Sequence, residues 1–231
     1  MIGYFNYSEI LTYLSVISAG TGIVVSLNGG GHPYLGVFFL LFCGLCDAFD
    51  GKVASMKKDR SEREKKFGIQ IDSLSDLIAF GVLPACIGNA MIRVCPTIEE
   101  VPRWRRGEEF EAPVVILLFA ILLLYILAAL IRLAYFNVTE EERQQTEKGA
   151  RKEFVGLPVT SAALLFPTVL LFQFLLPVDL TIHYFVLMLV MGILFISKIR
   201  VPKPGLRGIW MMVAIGLLEF AVLVFGWNFL R

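Results

Sequence analysis

Charge is scarce in this 231-residue sequence: 18% of the residues are Asp, Glu, Lys or Arg, and long stretches contain none of them. The formal net charge of +1 gives no electrostatic basis for a nucleic-acid partner. Cys43 and Cys46 form a Cys-x2-Cys pair, but the sequence lacks the second pair or histidine cluster that would complete a zinc site. The N-terminal segment lacks the basic region and cleavage site of a signal peptide, so we expect its first apolar stretch to be retained.

Hydrophobic residues make up 57% of the chain, more than the roughly 45–50% that is usual in soluble domains. Because about 20 apolar residues cross a bilayer, the sequence predicts an all-α, polytopic membrane bundle of six to seven transmembrane helices. We expect one catalytic domain, residues 1–231, with its C-terminal helices in 157–229. The predicted spans are 10–28, 34–55, 69–92, 113–137, 157–176, 181–198 and 208–229.

The basic residues predict the orientation of these spans. Most of the 21 Lys and Arg residues fall in 52–67, 138–156 and 198–207, which share one side of the membrane. Cytoplasmic loops carry an excess of Lys and Arg, so we expect this side to face the cytoplasm. The polar loop 93–112 would then lie on the outer side, where the sequence assigns it no chemistry.

Four aspartates stand at the cytoplasmic ends of the second and third predicted spans. Carboxylates inside a bilayer are costly, so acids within spans are candidates for function. The spacing between Asp47 and Asp50, and between Asp72 and Asp76, puts each pair on one face of a helix. Because a short basic loop joins the two helices, we expect them to pack antiparallel with their acidic faces together.

Four carboxylates so close together need compensating cations. Hard divalent ions such as Mg²⁺ or Mn²⁺ prefer carboxylate oxygens and often bridge them to substrate phosphates. The small residues Gly51, Ala54 and Gly68 would let a bulky ligand approach the helix backbone. The pattern therefore predicts a metal-assisted site for a diphosphate substrate. The alternative is that the aspartates form helix-end ion pairs with Lys52 and the basic loop.

The segment 47–76 reads Asp47-x2-Asp50-Gly51-x2-Ala54-x13-Gly68-x3-Asp72-x3-Asp76. This pattern resembles the motif of the CDP-alcohol phosphotransferases, integral membrane enzymes of phospholipid synthesis. Three further stretches resemble the membrane-integral phosphatidylserine synthases within that family. These are residues 67–85, the Arg-Leu-Ala-Tyr-Phe-Asn sequence at 132–137, and the Gly-Leu-Pro-Val sequence at 156–159.

The resemblance implies transfer of the phosphatidyl group of CDP-diacylglycerol to L-serine, giving phosphatidylserine and CMP. It assigns the four aspartates to divalent metal, two ions of Mg²⁺ or Mn²⁺, and it makes Asp76 also the base that deprotonates the alcohol. Gly51, Ala54 and Gly68 would contact the CDP-lipid. It further implies a homodimer in the cell membrane, with the active site at the cytoplasmic face.

One position of the 47–76 motif departs from the family pattern, and Tyr135 in the 132–137 stretch stands where the subfamily has arginine. Ser55 stands where the family has arginine directly after the alanine, and the run to Gly68 is longer than usual. Lys57, Lys58 and Arg60 are candidates for the phosphate contact that this arginine would have made.

Arg132 lies within a predicted span, where a buried arginine needs a partner. We expect it, with Asn137, to contact the serine carboxylate or a phosphate; the alternative is a structural bridge near the helix end. The sequence is also compatible with other functions. The same reaction could use glycerol phosphate, inositol phosphate or choline as acceptor, or an archaetidyl lipid as donor. Outside that class, the chain could be a cation transporter or an inactive lipid-binding homologue.

Overall fold

The computed structural model describes residues 3–4, 6–28, 33–57, 59–94, 113–146, 153–176 and 178–229. Residues 95–112 of the predicted outer loop lie outside this set, and so does Lys58. Within the described residues the chain is almost entirely helical. Its helices are α1 Ile10–Leu27, α2 Pro33–Met56, α3 Glu62–Asp76, α4 Leu83–Val94, α5 Pro113–Thr146, α6 Ala162–Leu175, α7 Thr181–Ile196 and α8 Leu206–Phe229.

Several shorter elements connect these helices. They are the π-helix Leu77–Val82, the 3₁₀ turns Tyr7–Glu9 and Val159–Ser161, and the strands β1 Glu153–Val155 and β2 Arg200–Pro202. The π-helix joins α3 to α4, so these two helices form one continuous rod. The strands pair antiparallel and bring the segment before α6 beside the segment before α8.

Five helical rods are long and apolar enough to cross a membrane: α1, α2, the α3–α4 rod, α5 and α8. Two shorter apolar helices, α6 and α7, bring the rods of the described chain to seven. The predicted all-α membrane bundle is therefore confirmed. Helix α7 has 16 residues, and α6, with 14 residues, is shorter still.

Two helices extend beyond the apolar stretches that predicted them. Helix α3 begins inside the basic loop because Ser61 and Glu64 form a capping box. Ser61 Oγ accepts a hydrogen bond of 3.2 Å from Glu64 N, and the Glu64 carboxylate accepts one of 2.8 Å from Ser61 N. Helix α5 continues through a charged segment to Thr146. Hydropathy locates the apolar part of a helix, so it does not detect solvated extensions of this kind.

Aromatic side chains of α5, α6 and α7 fill the interior of the bundle. Tyr125, Phe166, Tyr184 and Phe195 are all fully buried. The ring centroids of Phe166 and Tyr184 lie 4.7 Å apart, and those of Tyr125 and Phe166 lie 5.6 Å apart. Both tyrosine hydroxyls donate to backbone carbonyls of the α3–α4 rod. This aromatic layer therefore anchors the rod that carries two of the four aspartates.

Helix α8 lies at the edge of the bundle and packs against α6 and α2. Among its described side chains only Glu219 and Leu223 are buried. Most of its surface is apolar and faces outward, as expected for a helix in contact with lipid.

Candidate active site

The structure brings the four predicted aspartates together at one cavity. Asp47 and Asp50 approach it from α2, and Asp72 and Asp76 approach it from α3. All four are partly buried, and all four line the same cavity of about 500 Å³. The acidic faces of the two consecutive helices thus meet across a space large enough for a phosphate-bearing headgroup.

The carboxyl groups are close to one another and, within the described residues, form no salt bridges with basic side chains. Those of Asp50 and Asp72 are in contact, and Asp76 lies within electrostatic range of the other three aspartates. None of the salt bridges among the described residues involves these aspartates. Lys52 instead lies over Trp210, with its Nζ 5.9 Å from the ring centroid. The described structure therefore gives no support to helix-end ion pairs.

The chemistry of this donor set fits a hard divalent cation. Two carboxyl groups come into contact only when a proton or a cation offsets their charge. Carboxylate oxygens are also the ligands that Mg²⁺ and Mn²⁺ prefer. Among the described residues, no three His, Cys, Asp or Glu side chains lie close enough together to bind one metal ion. Ion binding would therefore require rotamer changes that extend the Asp50–Asp72 contact to a third carboxylate.

The small residues of the motif occupy different environments. Gly51 lines the cavity, and a Cβ atom placed there would meet nothing within 4 Å. Gly68 is buried beneath the Arg60 guanidinium, with which an added Cβ would collide, and beside Glu9. Ala54 is partly buried and, like Gly68, is not among the residues that line the cavity. Of the three predicted CDP-lipid contacts, only Gly51 is open to the cavity.

The basic residues predicted to replace the missing arginine are engaged in other contacts. Arg60 donates a hydrogen bond of 2.5 Å to Glu9 Oε1, and both side chains are largely buried. Lys57 donates one of 2.9 Å to Glu64 Oε1. A phosphate contact by Arg60 or Lys57 would therefore have to replace an existing ion pair, while Lys58 lies outside the described residues.

Arg132 reaches the same cavity from α5. It is 5% exposed, and its Nε donates a hydrogen bond of 3.2 Å to Leu157 O. The neighbouring Gly156 has a φ of 78°, and a Cβ there would lie 2.6 Å from Phe195 O, so the turn requires glycine. The stretches 132–137 and 156–159, two of the three that resemble phosphatidylserine synthases, therefore meet in space.

Asn137 contacts α3 and is not among the residues that line the cavity. Its Nδ2 donates a hydrogen bond of 2.9 Å to Ser73 Oγ, which also lies 3.0 Å from Asn137 Oδ1. Ser73 directly follows Asp72, so this pair ties α5 to the helix that carries Asp72 and Asp76.

Three cavity residues with an amino or hydroxyl group were not predicted as site residues: Lys52, Lys203 and Thr160. Lys203 follows β2, and its Nζ lies 6.0 Å from the ring centroid of Phe154, which also lines the cavity. The run of Lys and Arg in 198–207 is visible in the sequence, but there it indicates only membrane orientation. Folding back through the β1–β2 pair brings Lys203 to the aspartates.

An apolar groove of about 590 Å³ continues from the cavity. Asp47, Ala48 and Phe154 line both spaces. The groove runs between α2, α6 and α8, whose contributions include Leu41, Leu45, Leu164, Met212, Leu217 and Phe220. A polar cavity that opens into an apolar groove suits a ligand with a charged headgroup and lipid chains.

These features define a helical membrane protein with a carboxylate-lined cavity at the ends of two consecutive spans. The family model described as CDP-alcohol phosphatidyltransferase matches residues 5–217. The chain belongs to this family of integral membrane transferases, whose members generally depend on divalent metal. The family suggested by the motif at 47–76 is thereby confirmed.

Curated relatives carry names that refer to serine. The chain is 31% identical to the CDP-diacylglycerol–serine O-phosphatidyltransferase of Saccharomyces cerevisiae over 165 residues, covering 69% of the chain and 51% of the yeast protein. It is 28% identical to the protein of the same name from Methanocaldococcus jannaschii over 203 residues, covering 86% of the chain and 78% of that protein. It is 27% identical to the archaetidylserine synthase of Methanothermobacter thermautotrophicus over 195 residues, covering 84% of the chain and 69% of that protein. The chain thus spans about half the length of the yeast relative.

Proposed function

We propose that this protein transfers the phosphatidyl group of CDP-diacylglycerol to the hydroxyl of L-serine, giving phosphatidylserine and CMP. The observation that carries this proposal is the continuity of the cavity and the groove. Asp47 and Ala48 line both, so a diphosphate can lie among the aspartates while its lipid chains lie between the helices. The names of the relatives support serine as the acceptor.

Divalent metal would be held by Asp47, Asp50, Asp72 and Asp76. A pair of Mg²⁺ or Mn²⁺ ions would offset the charge of the diphosphate and stabilise CMP as a leaving group. The contact between Asp50 and Asp72, and the lack of ion pairs to the aspartates among the described residues, support this assignment.

The reaction would be a displacement at the phosphorus of the phosphatidyl group. Serine Oγ forms a bond to that phosphorus while the bond from phosphorus to the bridging oxygen breaks, and CMP departs with that oxygen. Asp76 accepts the proton of the serine hydroxyl. A hydroxyl is a poor nucleophile at neutral pH, and a positioned base contributes about 10²–10⁴-fold to the rate.

Three basic residues around the cavity complement the anionic groups of the two substrates. Arg132 would bind the serine carboxylate, because its planar guanidinium can donate two parallel hydrogen bonds. Lys203 would approach the same substrate from the loop after β2, and Lys52 would meet the diphosphate beside Gly51. Asn137 would act through Ser73 by holding α3 in place.

The site would face the cytoplasm, which the distribution of Lys and Arg supports. The chain would act as a single catalytic domain of residues 1–231, with its motif core at 47–76. Assembly as a homodimer stays a prediction, and mass measurement of the detergent-solubilised protein would test it.

The test is CMP release by the purified full chain in lipid vesicles. The donor would be CDP-diacylglycerol, and the acceptors L-serine, glycerol phosphate, inositol phosphate and choline would be supplied one at a time with Mg²⁺ or Mn²⁺. Release with serine alone supports the proposal. Release only with another acceptor refutes serine, and no release with any acceptor refutes the enzymatic function.

A second donor is worth including because one relative is named archaetidylserine synthase. The same assay with a CDP-activated isoprenoid ether lipid would distinguish the two tail chemistries by their kcat/KM ratio. Metal flux into the same vesicles, lost on Asp76→Asn, would favour a transporter instead.

A further inference from the structure

Glu219 is a buried acid that has no part in the proposed reaction. It lies in the middle of α8, is 4% exposed, and has one carboxyl oxygen, Oε2, buried without a hydrogen-bond partner in the described structure. No salt bridge among the described residues involves it. An ionised carboxylate at this depth of a membrane span would be costly. The hydrogen bonds of Glu219 therefore indicate whether it is ionised or neutral.

Thr168 of α6 supplies that bonding. Its Oγ1 lies 2.5 Å from Glu219 Oε1 and 2.8 Å from Leu164 O. A hydroxyl has one hydrogen and can donate fully to only one of these oxygens. The backbone carbonyl has no hydrogen to give, whereas a protonated carboxyl has one. Both contacts are full hydrogen bonds at the same time only if Glu219 is a neutral carboxylic acid.

This bond belongs to a seam between α6 and α8. Gly216 lies one turn before Glu219, and Leu164 lies one turn before Thr168. A Cβ placed on Gly216 would lie 3.4 Å from the Leu164 side chain, so the helices approach closely there. Leu164 and Gly216 also line the apolar groove, as does Phe220 beside Glu219. The seam is therefore part of the groove wall.

Helix α8 has few other attachments. Among its described side chains only Glu219 and Leu223 are buried. Apolar side chains gain little by leaving lipid for the protein interior, so a membrane helix is fixed by close packing and by polar contacts between helices. The bond between Glu219 and Thr168 is a side-chain hydrogen bond between α8 and α6 in the described residues, and it lies at the middle of α8.

We propose that Glu219, as a neutral acid bonded to Thr168, fixes α8 against α6 and thereby sets the width of the groove that receives the lipid chains of the donor. Glu219 touches neither the headgroup cavity nor the groove surface and is a positioning residue. The identity of the groove's occupant rests on the proposed function, whereas the bond between the helices does not.

The test compares five variants of the full chain. Glu219→Leu and Thr168→Val each remove the bond, the double variant removes both partners, and Glu219→Gln keeps a neutral group that can donate to Thr168. Leu218→Ala is the control, because Leu218 neighbours Glu219 on the outward face and does not line the groove. Thermal unfolding is measured for all variants, and KM and kcat are measured with long-chain and short-chain CDP-diacylglycerol.

We expect Glu219→Leu and Thr168→Val to raise the KM for long-chain donor by about threefold to tenfold, in line with one interhelical hydrogen bond. Short-chain donor and kcat should change less, Glu219→Gln should behave as wild type, and the double variant should be no worse than either single variant. Additive effects, an unchanged KM in Glu219→Leu, or loss of function in Glu219→Gln would overturn the proposal. The unfolding measurements test the bond between the helices independently of activity. If neither the wild type nor any variant releases CMP, that result contradicts the proposed function and not the bond.

Discussion

Tyr125 Oη donates a hydrogen bond of 2.7 Å to Phe80 O, a carbonyl of the π-helix in the α3–α4 rod. In a regular α-helix, Phe80 O would accept from the N–H of residue 84, but Pro84 has no N–H. Phe80 lies within the π-helix Leu77–Val82, which directly follows Asp76. Helical segments of this kind recur at functional sites, and here the segment depends on a hydroxyl from another helix.

We therefore predict that Tyr125→Phe lowers kcat about tenfold and leaves both KM values within about twofold, because loss of this bond between helices lets the segment after Asp76 shift. Tyr184→Phe is the matched control. Tyr184 is equally buried and donates at 2.8 Å to Pro84 O, farther along the rod from Asp76. Both variants should melt at lower temperature, but only the first should lose kcat. An equal loss of kcat in both would contradict a positioning role for Tyr125.

The sequence predicts the aspartate cavity well because its determinants are local. The acids of each pair lie one helical turn apart, and one short loop joins their helices, so spacing alone places them together. The contacts of Arg60 and Lys203 are not local. Arg60 pairs with Glu9, 51 residues earlier, and Lys203 reaches the cavity through strand pairing. No periodic pattern connects such positions, so only the folded chain reveals them.

One substitution tests the proposed role of Asp76 as proton acceptor apart from its proposed role in holding metal. Asp76→Asn keeps the shape of the side chain but cannot accept a proton, so kcat should fall by about 10²–10⁴-fold. Binding of CDP-diacylglycerol, measured by equilibrium dialysis with the metal present, should persist because three aspartates remain. Activity close to wild type would show that another group accepts the proton.

Metal dependence gives a third prediction. Chelation should abolish CMP release, and Mg²⁺ or Mn²⁺ should restore it, because the carboxylates of the cavity would hold the cation that offsets the charge of the diphosphate. Asp50→Asn should raise the metal concentration for half-maximal activity by at least about tenfold, which corresponds to about 1.4 kcal/mol.

The control for this measurement is Asp179→Asn. Asp179 accepts hydrogen bonds from Thr181 at the start of α7, and it does not line the cavity. Its metal requirement should match that of the wild type. Full activity of the wild type after exhaustive chelation would contradict the metal assignment.

The pair formed by Arg60 and Glu9 should contribute to stability and not to phosphate binding. Both side chains are largely buried, and Arg60 covers Gly68. Arg60→Ala should therefore destabilise the fold by about 1–3 kcal/mol, since it leaves a buried acid without its partner. The KM for CDP-diacylglycerol should stay unchanged in the folded protein. Lys65→Ala, which breaks an exposed pair with Glu62, is the control and should change neither quantity. A selective rise in KM for Arg60→Ala would instead show that Arg60 replaces the missing family arginine.

Lys203 should help to select the acceptor. It lines the cavity beside Phe154, while the nearby Lys198 does not. Lys203→Ala should raise the KM for serine by about tenfold, the effect of losing one charge-assisted hydrogen bond of about 1.4 kcal/mol. The KM for CDP-diacylglycerol should change by less than about twofold in the same variant. Lys198→Ala removes a charge from the same face of the protein and controls for the general electrostatic field, so it should leave both values unchanged. If Lys203→Ala raises the KM for the donor instead, Lys203 binds the diphosphate, and recognition of the serine carboxylate falls to Arg132 alone.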